Sequence, residues 1–268
     1  MSAPASTEPL HADAIRAQLS APNAAMLEHI EVLAAVDSTN SWLLRTGGTG
    51  ARACFAEQQT AGRGRRQRPW ISPRASNLYF SVGYALAPPQ PALATLSLAI
   101  GVAVAEQLHA LGAGAVGLKW PNDVFIDDAK LGGILTEVGA TSAARIRVVV
   151  GIGLNVSMTS TQAAGVSQPW TRLADHVRIL PARNVLAGRL LEAVLAALQA
   201  FQEHGFAAFQ TRWQRFDILH ERPVQVTDGQ RLRSGVARGI AADGALQVAF
   251  GPTVEAVYAG EVSLRIAP

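Results

Sequence analysis

The chain has 268 residues, 49% of them apolar and 16% charged, which is enough to bury a large core and excludes an intrinsically disordered protein. The formal net charge is only +3, so a nucleic-acid-binding face would have to be concentrated in one place. Cys54 is the single cysteine, which excludes an intramolecular disulfide. With no signal peptide and no uninterrupted apolar run of about 18 residues, the sequence predicts a soluble cytoplasmic protein.

The first third of the chain predicts short elements separated by polar turns, after a disordered start over residues 1–9. In chain order, the predicted elements are a helix over 10–19, strands over 30–36, 53–58 and 77–86, and a short helix over 42–44 between the first two strands. The residues Asp37-Ser38-Thr39-Asn40 precede the short helix, and all four types are favoured N-caps. The run Pro88-Pro89-Gln90-Pro91 ends the last of these strands.

The rest of the chain predicts two long helices and then a region of short strands. Apolar residues at helical spacing predict helices over 93–108, 186–201 and 206–216. Short strands are predicted between the first two helices, over 116–119, 124–127, 131–138 and 146–152. The final strands are predicted over 224–226, 232–240, 245–250, 254–258 and 262–266, with turns at Asp228-Gly229 and Asp243-Gly244. These final strands predict a small antiparallel barrel after a domain boundary near residue 221.

Four arginines and two glycines lie within nine residues, where the chain reads Gly62-Arg-Gly-Arg-Arg-Gln-Arg-Pro-Trp70. Guanidinium groups are planar, permanently charged donors that suit phosphate and carboxylate. Glycine lets backbone N–H groups approach an anion closely. The loop alone is consistent with a nucleotide site, a nucleic-acid patch or a solvated basic turn. No ladder of aromatic residues and no recognition helix accompanies it, which disfavours nucleic acid.

Five segments have the order and spacing of one enzyme family. They are Asp37-Ser-Thr-Asn40, Glu57-Gln-Gln-Thr-Ala-Gly-Arg-Gly-Arg-Arg66, Lys119-Trp-Pro-Asn-Asp-Val124, Lys130-Leu-Gly-Gly-Ile-Leu-Thr-Glu137 and Gly151-Ile-Gly-Leu-Asn155. From about Ile30 to the final Gly260-Glu-Val-Ser-Leu-Arg265, the chain resembles biotin–protein ligases. The resemblance implies an α+β fold, in which helices flank a mixed sheet like that of class II aminoacyl-tRNA synthetases. It also implies an N-terminal segment 1–28, a catalytic domain 29–221 and an SH3-like β-barrel 222–268.

The resemblance implies a two-step reaction with ATP and biotin as substrates. The biotin carboxylate attacks the α-phosphate of ATP, which gives biotinyl-5'-adenylate and pyrophosphate. A lysine of a biotin carboxyl carrier domain, such as that of acetyl-CoA carboxylase, then displaces AMP and forms an amide. Mg²⁺ and basic side chains are needed to offset the negative charges that meet in the first step. The site must also exclude water until the carrier arrives, because the mixed anhydride hydrolyses readily.

The resemblance also implies the site residues, position by position. Lys130 is implied to bind the biotin carboxylate, and Arg65 to hold the α-phosphate. Asp123 is implied as the Mg²⁺ ligand, while a role in deprotonating the acceptor lysine stays open. The other implied contacts to biotin or the adenylate are Ser38, Thr39, Asn40, Gln59, Arg63, Gly64, Trp70, Asn77, Lys119, Asn122, Gly133, Leu135, Gly151, Gly153 and Asn155.

Several of these residues also have an ordinary structural interpretation. The residues 38–40 serve equally well as helix N-caps, with or without a ligand at the helix N-terminus. Trp70 is either an aromatic wall over the adenylate or a buried anchor for its loop. Taken alone, Lys130 would be an exposed hairpin lysine, and Asn122-Asp123 a structural turn.

Two other functions compete with this interpretation. A lipoyl or octanoyl transferase or ligase shares the fold, but it lacks the Gly-Arg-Gly-Arg-Arg loop. A biotin-sensing DNA-binding regulator needs a further N-terminal winged helix, for which the segment before residue 29 is too short. We therefore expect a monofunctional ligase that binds a carrier domain, with no operator DNA and no membrane partner. A homodimer is left open.

Overall fold

The computed structural model describes residues 8–88, 92–142, 144–228 and 231–259, together with the backbone of 262–266. Parts of four sequence predictions lie outside the described residues. They are the disordered start at 1–7, the turn at 89–91, the turn residue Gly229 and the motif residues 260–261.

A seven-stranded mixed sheet is the largest element of the fold. Its strands are β1 Leu27–Leu33, β2 Ala51–Ala56, β3 Leu78–Leu86, β4 Val116–Lys119, β5 Asp123–Ile126, β6 Ala129–Thr141 and β7 Ile146–Leu154. They lie in the order β1-β2-β3-β7-β6-β5-β4. β1 and β2 are parallel, and all other neighbouring strands are antiparallel. The predicted mixed sheet is confirmed.

Helices cover both faces of this sheet. In the described residues they are α1 Ala12–Arg16, α2 Ala21–Met26, α3 Thr39–Thr46, α4 Leu96–Ala110, α5 Arg183–His204 and α6 Ala207–Gln214. Phe55 and Phe80 stack at 4.9 Å between ring centroids in the main core, which contains α4 and α5. Successive residues of a strand face opposite sides, so Cys54, next to Phe55, packs instead with Leu43 of α3 and with Val149. α3 therefore lies on the opposite face from α4 and α5.

Two helical segments, Leu93–Ala110 and Arg183–His204, have the length and apolar composition of a membrane span. In both, 61% of the apolar window is buried inside the protein. The two helices pack against each other and against the sheet. Both are core helices, whose apolar surface faces the rest of the protein.

Most predicted element types agree with the structure, but some ends differ. β1 begins at Leu27 instead of residue 30, because its parallel pairing with β2 starts at Leu27 and Ala51. The helix predicted over 10–19 is confined to Ala12–Arg16. A second helix, α2, was not predicted, although Pro22 lies in its first turn, where proline is well tolerated.

Five antiparallel strands form a second, C-terminal sheet. They are β8 Pro223–Asp228, β9 Arg231–Ile240, β10 Leu246–Phe250, β11 Thr253–Val257 and β12 Val262–Ile266, in the order β11-β10-β9-β8-β12. The predicted turn at Asp243-Gly244 joins β9 and β10, with φ +85° at Gly244. The Trp120 indole N–H donates to the Gly244 carbonyl at 3.0 Å, which ties this sheet to the end of β4. The antiparallel C-terminal sheet is confirmed, whereas the boundary near residue 221 stays a prediction.

Cys54 is fully buried beneath α3. Burial raises the pKa of its thiol to about 12, and the charges of Glu31 and Asp37 add to the shift. The thiolate is the reactive form, so the native protein at pH 8 should not react with a chromogenic disulfide reagent. The urea-unfolded chain should react at once. Rapid colour release from the native protein would show instead that α3 opens away from the sheet.

Candidate active site

The strand register gathers many of the predicted residues on the sheet face that α3 covers. They form two adjacent rows of side-by-side positions: Ser81, Gly151 and Leu135, then Gly153, Gly133 and Asp123. The second row lies two residues along β6 and β7 from the first. Because alternate residues of a strand face the same side, both rows face α3. We call this surface the glycine floor.

α3 begins with three polar residues that are almost fully buried: Ser38, Thr39 and Asn40 are at most 4% exposed. Ser38 is the N-cap, and its hydroxyl accepts from the Ser41 N–H at 3.5 Å. Asn40 lies flat on the floor, since a Cβ added to Gly151 would stand 2.2 Å from its Oδ1. Glycine at position 151 therefore lets the start of the helix approach the strand.

A chain of hydrogen bonds links Asn40 to Gln59 across β3. The Ser81 hydroxyl donates to Asn40 Oδ1 at 2.6 Å, and its oxygen lies 2.6 Å from that of Thr39. The Thr39 N–H donates to Gln59 Oε1 at 3.0 Å. Gln59 Nε2 in turn donates to the Ser72 hydroxyl at 3.2 Å. Hydroxyl and amide groups with fixed directions suit a small polar ring that carries both a carbonyl and N–H groups.

The arginine loop, residues 62–70, folds back on itself beside the floor. Two backbone hydrogen bonds of 2.8 Å close it, from Gly64 N–H to the Arg68 carbonyl and from Trp70 N–H to the Gly62 carbonyl. The nearest atom to a Cβ added at Gly64 is the Arg68 carbonyl oxygen, at 3.7 Å. These two hydrogen bonds give the loop a defined shape.

Arg63 and Arg65 leave this loop in different directions. Arg63 Nη2 donates to the Ser41 hydroxyl at 2.7 Å, so its predicted place near the biotin carboxylate stays a prediction. Arg65 donates to the Ala259 carbonyl, which lies between β11 and β12 of the C-terminal sheet.

The surroundings of Arg65 favour the arrival of an anion. Burial lowers the pKa of Arg65, the neighbouring charge of Arg66 lowers it further, and Asp123 opposes both. A guanidinium remains charged in proteins nevertheless. A partly buried cation beside a like charge is stabilised when a negative group binds. Phosphate is such a group.

Trp70 covers the second row of the glycine floor. A Cβ added to Gly153 would stand 2.6 Å from the indole ring, so the ring lies directly on β7. Lys130 Nζ is 5.4 Å from the ring centroid. Among the described residues, the buried indole N–H has no hydrogen-bond partner. The wall and the anchor interpretations of Trp70 both agree with this position.

Lys130 and Asp123 form an ion pair, with 2.7 Å between Nζ and Oδ1 and side-chain exposures of 14% and 24%. A Cβ added to Gly133 would stand 3.4 Å from that carboxylate oxygen and 3.6 Å from Nζ. Across the described ranges, no cluster of three or more His, Cys, Asp or Glu side chains could hold a metal ion. Asp123 therefore fits Mg²⁺ that is held mainly by phosphates and water, as this ion often is.

The two polar neighbours of Asp123 make contacts within the fold. Lys119 Nζ lies 5.3 Å from the centroid of the Phe125 ring. Asn122 Nδ2 donates to the Ile134 carbonyl at 2.6 Å, and the Ile134 N–H donates back to the Asn122 carbonyl at 2.9 Å. The Asn122 amide thus holds its turn on β6, and its contact with a nucleotide stays a prediction.

Asn77 and Asn155 also have internal partners. Asn77 is fully buried, and its Oδ1 accepts from the Val156 N–H at 2.9 Å. Asn155 Nδ2 donates to the carbonyls of Thr171, at 3.1 Å, and Lys130, at 3.4 Å. Both amides brace the segment that follows β7, so their predicted proximity to the nucleotide stays a prediction.

Comparison with known proteins places this geometry in a family. The biotin/lipoate A/B protein ligase family model matches residues 32–155, and the biotin protein ligase C terminal domain matches 219–265. Over 260 residues, the chain is 39% identical to the bifunctional ligase/repressor of Salmonella typhimurium, covering 96% of this chain and 79% of that protein. The chain belongs to the biotin protein ligase family. Another relative, the biotin–[acetyl-CoA-carboxylase] ligase of Mycobacterium tuberculosis, is 36% identical, covering 87% of this chain and 88% of the relative.

Solved structures of biotin protein ligases have the same fold. The enzyme from Aquifex aeolicus in complex with biotin and ATP matches with a TM-score of 0.75 and 27% identity, over 90% of this chain and 100% of that one. The enzyme from Leishmania major in complex with biotinyl-5-AMP matches with a TM-score of 0.54 and 25% identity, over 87% and 99%. The predicted family, fold class and ligase class are confirmed.

Within this family fold, the structure adds residues that the sequence analysis did not assign. Ser81 and Glu137 bond directly to Asn40. Trp170 lines a cleft beside Lys130, and the other lining residues are Trp70, Ile71, Asn155, Met158, Val166 and Gln168. Ser81 had a usable signal, as a polar residue within an apolar strand. Trp170 had none, because it lies in a segment without periodicity.

Proposed function

We propose that the chain activates biotin with ATP to form biotinyl-5'-adenylate and transfers the biotin to a lysine of a biotin carboxyl carrier domain. The main support is the Lys130–Asp123 pair, which lies on the glycine floor beside the arginine loop. A carboxylate that approaches a triphosphate needs a fixed cation where the two meet. The acceptor class follows from relatives named as ligases of acetyl-CoA carboxylase.

In the proposed first step, Lys130 orients the biotin carboxylate toward the α-phosphate. Arg65 binds that phosphate, because its partly buried charge gains from an anion. Asp123 would help to hold Mg²⁺ that arrives with ATP, and this ion supplies charge neutralisation to the phosphates. Lys119 adds a second cation on the same side of the floor.

The proposed biotin position is the glycine floor itself. Thr39, Asn40 and Gln59 present hydroxyl and amide groups that complement the carbonyl and N–H groups of the ureido ring. The indole of Trp70 covers the apolar part of the ligand next to Gly153. Trp170 and the cleft that it lines form the proposed nucleotide side, next to Lys130.

In the proposed second step, the arginine loop keeps water away from the adenylate until the carrier lysine arrives. The Arg65 contact with Ala259 supports this proposal, because it joins the loop to the segment that follows β11. The cytoplasmic location and the lack of operator binding stay predictions, and a homodimer stays open.

Lipoate is the competing substrate, since the matching family includes lipoate ligases. The polar chain from Asn40 to Gln59 favours biotin, because the lipoyl ring has no N–H or carbonyl groups to pair with it. The test is pyrophosphate exchange into ATP with biotin or lipoate as the only acid. We expect exchange with biotin and background with lipoate, and the reverse result would contradict the proposal.

Replacing Gly153 with alanine should weaken biotin binding. The new Cβ would stand 2.6 Å from the Trp70 ring. Overpacking of this kind costs about 1–3 kcal/mol, which corresponds to a loss of affinity of roughly 5- to 150-fold if the whole cost falls on binding. Gly101→Ala on α4 is the matched control, because its Cβ would meet only ordinary contacts at 3.4 Å. Titration calorimetry measures both. Equal affinities in the two variants would show that the ring does not rest on this glycine when biotin binds.

A further inference from the structure

We infer that Ser41 and Glu137 form a docking site for Arg63, and that this site couples the arginine loop to Asn40 on the glycine floor. They are positioning residues, since neither faces the reacting atoms. The inference rests on the proposed function for its link to biotin, whereas the docking itself is testable without any ligand.

Glu137 lies between the loop and the floor and bonds to both. Its Oε1 is 3.5 Å from Arg63 Nη2, and its Oε2 accepts from Asn40 Nδ2 at 2.7 Å. The same Arg63 nitrogen donates to the Ser41 hydroxyl at 2.7 Å. The Arg63 and Glu137 side chains are 28% and 25% exposed, so this ion pair is partly shielded from water. The Glu137 carboxylate thus contacts Arg63 of the loop with one oxygen, and Asn40, which lies on the glycine floor, with the other.

Glu137 also helps to set the direction of the hydrogen bonds on the glycine floor. A carboxylate and a backbone carbonyl can only accept, so Asn40 turns its NH₂ group toward Glu137 and toward the Leu135 carbonyl, which lies 3.2 Å from Nδ2, and its oxygen toward Ser81. The Ser81 proton is then committed to Asn40 at 2.6 Å. The Thr39 hydroxyl lies 2.6 Å from the Ser81 oxygen and 3.2 Å from Gln59 Oε1, which also accepts from the Thr39 N–H at 3.0 Å. Glu137 and the Leu135 carbonyl therefore fix the orientation of Asn40 together.

Two substitutions at position 137 separate these roles. In Glu137→Gln, the amide oxygen can still accept from Asn40, but the amide NH₂ faces the guanidinium of Arg63 and the docking is lost. In Glu137→Leu, both contacts of the carboxylate are lost, and the Asn40 NH₂ group keeps only the Leu135 carbonyl of its two acceptors. The first variant should free the loop alone, and the second should also disturb the floor.

Limited trypsin digestion measures the docking in the ligand-free protein, because trypsin cuts after arginine. We expect cleavage after Arg65 or Arg66 to become about two- to fivefold faster in Glu137→Gln and in Ser41→Ala. An effect of this size is expected when one partly exposed contact is lost. Glu203→Gln is the control, since it removes an equally charged carboxylate that is 68% exposed on α5. Loop cleavage at the wild-type rate in both test variants would overturn the inference.

Biotin titration of the same proteins measures the coupling to the floor. We expect Glu137→Gln to bind biotin within about twofold of wild type. We expect Glu137→Leu to bind it about tenfold more weakly, because one N–H of the buried Asn40 amide loses its acceptor. Equal biotin affinities of Glu137→Leu and wild type would overturn the coupling. If the wild-type protein binds no biotin, the proposed function fails. The trypsin digestion still tests whether Arg63 docks on Ser41 and Glu137.

Discussion

Replacing Lys130 with alanine should lower biotin-dependent pyrophosphate exchange by about 100-fold or more, the usual cost of removing one preorganised charge from a reacting centre. Lys130 Nζ is held 2.7 Å from Asp123 and is only 14% exposed, so its charge is fixed in place before substrates bind. Without Lys130, the biotin carboxylate and the α-phosphate would have to meet beside Asp123, whose carboxylate would have lost its cation. The fold should persist, because the side chain is one member of a partly exposed pair.

Two further variants make this result specific. Lys130→Arg keeps the charge but replaces a point charge with a planar fork, so we expect exchange between the alanine and wild-type rates. Arg189→Ala removes one positive charge from the exposed side of α5 and should leave the exchange rate unchanged. Urea unfolding of each variant checks the fold. Exchange by Lys130→Ala within twofold of wild type would remove Lys130 from the proposed mechanism.

Replacing Arg183 with methionine should lower the free energy of unfolding by about 3–5 kcal/mol, as expected when one partner of a buried ion pair is removed. Arg183 Nη1 donates to Glu57 Oε2 at 2.8 Å, with side-chain exposures of 2% and 10%. The same Nη1 also donates to the Glu8 carbonyl at 3.0 Å, and Nη2 donates to the Asn77 carbonyl at 3.2 Å. Among the described residues, the Glu57 carboxylate would keep only the Leu10 N–H, at 2.7 Å, so a buried charge would lose its counter-ion.

The matched control for this stability change is an exposed pair of the same chemistry. Arg172 pairs with Asp175 at 3.0 Å, with side chains 34% and 52% exposed, so Arg172→Met should cost no more than about 1 kcal/mol. Replacing both Glu57 and Arg183 with methionine should cost less than the sum of the single changes, because no unpaired charge remains. Urea titration followed by circular dichroism measures the wild type, the three single variants Glu57→Met, Arg183→Met and Arg172→Met, and the double variant. A loss below 1 kcal/mol in Arg183→Met would show that Glu57 is solvated in the native state.

Much of the fold could be predicted because hydrophobic periodicity is a local property. The helical spacing of apolar residues in α4 and α5 can be observed within each segment alone, so those helices were predicted. The beginning of β1 was not, because a strand end depends on its neighbour, here the pairing of Leu27 with Ala51. The helix α2 was also missed, since six residues contain less than two turns of periodic signal.

The site shows the same division between local and tertiary information. The family motifs predicted every member of the glycine floor except Ser81, and strand register explains why the members share one face. The hydrogen-bond partners of the Asn77 and Asn122 amides were not predictable in this way. Asn77 bonds to the Val156 N–H and Asn122 to the Ile134 carbonyl, and nothing in the local spacing of either asparagine indicates its partner. Glu137 stood within a quoted motif, yet its contact with Asn40 arises only where α3 meets β6.

The most direct test of the proposed activity is attachment to a carrier domain. The protein is incubated with ATP, Mg²⁺ and a biotin carboxyl carrier domain, with biotin or lipoate offered in parallel, and the carrier is weighed by mass spectrometry. Labelling of the ligase itself adds little background, because Lys119 and Lys130 are its only lysines. We predict that biotin alone is attached, at one lysine of the carrier, and that Lys130→Ala leaves the carrier largely unmodified. Attachment of lipoate in place of biotin, or an unmodified carrier with the wild-type protein, would contradict the proposed function.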